Sequence, residues 1–202
     1  MRTVDSQKDF LENDLSDALK GLFVAAVVWE AADMAEKAKE KELCPFLKGL
    51  AASASFVQAR DLYEFYNPKK IDKPKGEKGE TAHASHFREW TGKEFTTDEL
   101  DLFEKYIKGQ EATGAFRTNS PVNKRVSHLA YDGSDFSGGS GLEGSDHLKN
   151  QPLKFATNLR DITEKFIEKV EDRFRDSAKA ALEKAREGAR QAVAGCNIAN
   201  PL

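Results

Sequence analysis

Asn123-Lys124-Arg125-Val126-Ser127-His128-Leu129-Ala130-Tyr131 places one of the chain's four histidines three and four residues after a pair of cations. Imidazole can take up and return a proton near neutral pH, and lysine or arginine can hold a phosphate. On a helix, Asn123, Ser127 and Tyr131 recur at four-residue steps, while Lys124 and His128 share the adjacent stripe. A phosphate clamp and a proton carrier would then lie on one face. The same residue types also suit a partly buried helix end whose histidine bonds a backbone carbonyl. Residue types alone leave both readings open.

Glu80, His83, His86 and Glu89 fall at three-residue steps that could line one side of a short helix as metal ligands. Zinc signatures usually add a distant third ligand and a histidine pair four residues apart. The segment follows a charged loop, so a solvated helix is the better reading, and neither metal nor cofactor is expected. Asp146 and His147 have no nucleophile nearby, and the chain offers no strand-to-helix turn that would present a serine. The glycines of 138–144 lack the lysine and serine or threonine of a nucleotide-binding loop. The Lys/Arg/Glu run of 173–190 balances its signs and reads as a solvated face.

The elements that must position these residues are helical. Leu11, Leu15, Leu19, Leu22, Ala26 and Trp29 form one stripe at helical period, predicting a long helix over 10–42. Cys44-Pro45 punctuates it, and a second helix over 46–66 carries Phe46, Leu50, Ala54, Val57, Asp61 and Phe65 near one face, with Leu47, Leu62 and Tyr66 beside it. The small Ala51–Ser55 run allows a neighbour to come close. The short break makes the two helices an antiparallel hairpin. Residues 69–78 read as a loop, and 80–90 as a short helix.

Thr96 and Glu99 have capping-box spacing and open a helix with Leu100, Phe103, Tyr106 and Ile107 on its apolar face. Gly114 to Pro121 is a connector containing Arg117. Asp132 to Ser145 is rich in glycine and serine, a flexible loop of the composition that artificial linkers share. Phe155, Leu159, Ile162, Phe166, Val170 and Phe174 mark the last core helix. Beyond Phe174, alanine and charged residues dominate, predicting a projecting helix that packs on a partner or frays.

The fold expected is all-α, an up-and-down bundle of four main helices over 1–175 with a projecting C-terminal helix in 176–202. Leu19, Leu22, Phe56, Val57, Phe103, Ile107, Ile162 and Phe166 should share its core. Limited proteolysis should cut first within 69–79 and 134–145. First cuts inside 46–66 would show the hairpin assignment to be wrong.

With 202 residues, 39% hydrophobic and 32% charged, the chain can bury a full core and keep charged faces. No apolar run approaches the roughly 20 residues needed to cross a bilayer, and the first residues lack a basic-then-apolar leader. Cys44 and Cys196 form no CxxC, so both read as reduced thiols of a cytoplasmic protein. A formal charge of −3 argues against a protein coated in nucleic acid and leaves room for a local basic site.

The Asn123–Tyr131 stretch resembles the signature of the HEPN superfamily, small all-helical domains often found as ribonucleases in toxin–antitoxin and phage-defence systems. That signature is an arginine, a polar residue, three more residues and a histidine at the start of a late helix. Here Asn123 occupies the arginine position, Lys124 the polar one, Val126 and Ser127 the aliphatic–small pair, and His128 the histidine. Tyr131 lies one residue beyond the tyrosine of the toxin branch.

The resemblance covers roughly 8–175 in layout and nine residues in motif. It implies His128 as proton carrier, Asn123 and Lys124 as its catalytic companions, and Arg125, Arg117 and Tyr131 at the substrate. It also implies a homodimer that brings two motif helices together, RNA as ligand and no metal. Asparagine in place of arginine favours a member that binds or scaffolds over a competent nuclease. An interaction module would use 176–194 to engage a protein partner, and a chain ending at Arg175 would then lose that partner while keeping any intrinsic activity. A helical structural protein unrelated to RNA is the remaining alternative.

Overall fold

The computed structural model describes residues 3–37, 44–66, 82–87 and 151–194. These residues are all-α. Helix α1 (Val4–Phe10) runs without a break through one wide π turn (Leu11–Leu15) into α2 (Ser16–Lys37). Then come α3 (Cys44–Tyr66), a 3-10 turn (Ala84–His86), α4 (Gln151–Lys169) and α5 (Asp172–Ala192). No helix among the described residues is long and apolar enough to cross a membrane.

The first helix starts earlier than its apolar stripe. Thr3 caps it, its Oγ1 accepting from the Ser6 N–H at 3.2 Å, and Asp5 lies in the first turn where negative charge is favoured. Nothing in Val4–Phe10 is buried, so periodicity could not reveal this turn. From Leu11 onward the stripe holds: Leu11, Leu15, Leu19, Leu22, Ala26 and Trp29 are all buried.

Helices α2 and α3 form an antiparallel hairpin. Asp33 meets Lys48 near its tip, Gly21 meets Gln58 halfway along, and Phe10 meets Phe65 at its base. The buried face of α3 is Ala51, Ser55, Ala59, Leu62, Tyr63 and Tyr66, with Phe65 beside it. Phe65 of the expected stripe is buried, but the rest of the face is one position round: Leu50 is 53% exposed, Ala54 and Asp61 are exposed, and Val57 is half-buried. The small side chains win because they let the helix axes close up, as the Gly21 contact requires. A Cβ added there would lie 3.2 Å from the Gln58 side chain.

Helix α4 lies across both arms and runs in the same sense as α3. Phe155 packs on Phe56 and Tyr63, and Phe166 on Phe65 and Tyr66. Phe155, Leu159, Ile162, Phe166, Val170 and Phe174 are all buried, although the helix that carries them is broken. It ends at Lys169, and Glu171 turns extended (φ −55°, ψ 142°) before α5 begins. No glycine or proline marks the break. Its free groups are used: Glu171 N–H donates to Phe87 O at 3.3 Å, and Arg175 Nη2 to Val170 O at 3.4 Å.

The helix expected to project is instead packed against the bundle. Helix α5 lies along α2 in parallel, and the 175/176 boundary falls inside it. Ser177, Ala178, Ala181, Leu182, Ala185, Gly188 and Ala189 form its buried face. Alanine adds little transfer free energy per residue, but a whole stripe permits close approach and many dispersion contacts. At Gly188 an added Cβ would sit 2.8 Å from Lys20 Cγ and Cε, so the glycine gives room to the lysine stem. Ser177 Oγ donates to Glu12 Oε1 at 2.6 Å, and Lys184 Nζ to Glu12 O at 3.1 Å, which clasps α5 to the π turn.

One core joins these elements. Leu19, Leu22, Ile162 and Phe166 lie within it and Phe56 packs against it, whereas half-buried Val57, also expected there, is not part of it; Phe103 and Ile107 lie outside the described residues.

Candidate functional site

Asn123, Lys124, Arg125, His128 and Tyr131 lie outside the described residues, as does Arg117. The same holds for the residues of the helix expected to open at Thr96, for those of the loops expected over 69–78 and 132–145, and for Asp146 with His147. The described helices bracket this stretch in sequence, with α3 before it and α4 after it.

Of the Glu80–His83–His86–Glu89 series, His83 and His86 are described. The expected helix over 80–90 is, in its described part, a single 3-10 turn. Phe87 anchors this turn in an aromatic cluster, with Phe10 at 6.0 Å, Phe65 at 6.1 Å, Phe166 at 6.1 Å and Phe174 at 5.4 Å between ring centres. Gln7 Nε2 holds it from α1 by donating to His86 O at 2.9 Å. The two imidazoles are half-buried, with ring centres 5.5 Å apart and planes 75° apart. His86 Nδ1 accepts from the His83 N–H at 3.3 Å and so serves as a backbone cap. Among the described residues no three His, Cys, Asp or Glu side chains gather as metal ligands.

The remaining polar constellations tie helices together. In the core, Tyr66 OH donates to Thr163 Oγ1 at 2.9 Å, and Thr163 in turn donates to Leu159 O. Burial pushes the Tyr66 phenol well above its ordinary pKa, and the bond to Thr163 offsets only part of that rise. It stays neutral across the ordinary pH range. A locked, neutral hydroxyl is a poor acid or base at pH 7 and a good specifier of helix register.

At the hairpin tip, Asp33 meets Lys48 at 2.7 Å and Lys37 at 2.6 Å, and Lys48 Nζ also lies 5.2 Å from the Trp29 ring centre. Burial pushes the Asp33 carboxyl up. Hydrogen bonds and charge from Lys37 and Lys48 outweigh it and leave the group below the ordinary carboxylate value. Because the folded pKa is depressed, the contribution is complete above the unfolded value of about 3.8 and disappears as pH falls through the folded one. Asp33→Asn should therefore lower the urea midpoint at pH 7, with the gap to wild type closing as pH falls from the unfolded value of about 3.8 through the depressed folded one. A gap independent of pH would show that packing, not charge, holds the tip.

On α5, Arg186 bridges Glu164 of α4 and Glu183 of its own helix. Burial would push its guanidinium down, and the two carboxylates hold it above its ordinary value. That is a clamp between helices, with both acids already engaged.

Sequence reasoning passed over the Tyr66–Thr163 and Glu12–Ser177 pairs because their partners are far apart in the chain. Asp33 and Lys37 did carry a local signal, the four-residue spacing of an ion pair on a helix. Compared with models of known families, with curated proteins and with solved structures, the chain gives no match.

Proposed function

We propose that this is a HEPN-like helical protein that binds RNA through Lys124 and Arg125 beside His128, without turnover, as a component of a bacterial defence or toxin–antitoxin system. The single observation that carries this reading is the Asn123–Tyr131 stretch, where a histidine follows two cations in a chain of net negative charge. The helical setting supports it. A long α2–α3 hairpin precedes the stretch and an apolar helix follows it, in the order the resemblance implies. Asn123 at the arginine position removes the group that would order the phosphate, and this favours binding over cleavage. A homodimer would set two such stretches side by side.

Metal-independent cleavage of RNA would need a base for the 2′-hydroxyl, an acid for the leaving oxygen and a cation for the charged intermediate. His128 is the one candidate proton carrier in the stretch, with Asn123 to orient and Arg117 and Tyr131 at the substrate.

The test compares wild type with His128→Ala and with Lys124→Ala/Arg125→Ala, measuring RNA cleavage, RNA affinity and melting temperature with and without EDTA. Wild type should retain single-stranded RNA at low salt and leave it intact. Affinity should fall with salt, and each lost phosphate contact should flatten that dependence by about 0.7 in the log–log slope. Negligible RNA affinity in wild type would overturn the proposal. Cleavage lowered a hundredfold or more by His128→Ala would instead make the protein a ribonuclease. A melting temperature several degrees lower in His128→Ala, with no RNA affinity in either protein, would make the histidine structural. Activity lost to the chelator would redirect attention to Glu80, His83, His86 and Glu89.

A further inference from the structure

We draw no further inference here: the strongest candidate, the outward apolar patch of Met34, Leu47 and Leu50 at the tip of the α2–α3 hairpin, carries nothing because nothing in the structure shows what covers it.

Discussion

Phe166→Ala is expected to lower stability by about 3–5 kcal/mol, the range for removing a fully buried phenylalanine ring. Phe166 is completely buried on α4 and packs its ring against Phe65 and Tyr66 of α3, each at 5.7 Å, and against Phe87 at 6.1 Å. Two segments distant in the chain, α3 and the turn at Phe87, therefore lose a shared neighbour at once. Against a total stability of roughly 5–15 kcal/mol, that loss is a large fraction. For a chain of this size it corresponds to a melting temperature lower by roughly 6–20 °C. Leu22→Ala on α2 belongs to the same class, at about 2–5 kcal/mol. Leu50→Ala is the control: half of Leu50 faces solvent, so its stability should stay within about 0.5 kcal/mol of wild type. An unchanged midpoint in Phe166→Ala would remove α4 from the core.

Ending the chain at Arg175 should abolish the folded state. The truncation deletes the buried Ala178, Ala181, Leu182, Ala185, Ala189 and Val193, and with them the cover of one whole face of α2. Loss of Leu182 alone is worth about 2–5 kcal/mol, so the sum exceeds what a marginally stable domain can lose. Ser177 and Lys184 go too, leaving the π turn without its clasp. The measurement is urea unfolding followed by circular dichroism and tryptophan fluorescence. A cooperative transition at the wild-type midpoint would show that α5 is dispensable. A gentler pair of variants separates packing from length. Ala181→Leu forces bulk into the α2–α5 contact and should cost about 1–3 kcal/mol, whereas Ala180→Leu, on the exposed side of the same helix, should cost little.

The large apolar residues of α2 and α4 announce their helices because leucine and phenylalanine at steps of three and four have few other uses. Helix α5 could not be read this way. Beyond Phe174, its buried face is alanine, serine and glycine around a single leucine, types that are equally at home on a solvated helix. Helix α3 was legible in part, through its small Ala51–Ser55 run. It carries two candidate faces, the stripe through large Leu50 and the small Ala51–Ser55 run, and small residues of that run made the contact. Which face wins is decided by the fit of α2, and no local pattern contains that. The end of α4 at Lys169 was equally hidden, because Val170 and Phe174 keep the apolar period across it. The candidate site was legible only as a motif and its place in the chain order, since a phosphate clamp is a matter of distances among Asn123, Lys124 and His128.

The clasp between Glu12 and Ser177 closes across 165 residues. Closing a flexible loop of that length costs about 4–5 kcal/mol of chain entropy before any contact compensates. An all-helical protein would usually assemble from near neighbours and fold fast. Here the partner for one side of α2 arrives late. At roughly 5–20 residues per second, a ribosome needs on the order of 5–20 s after finishing α3 to make Ser177. Throughout that interval the α2 face that α5 will cover stands open to water and to other nascent chains. The small-residue stripe suits this timetable, because alanine's partner surface offers an early, wrong occupant far less to grip than a row of leucines would.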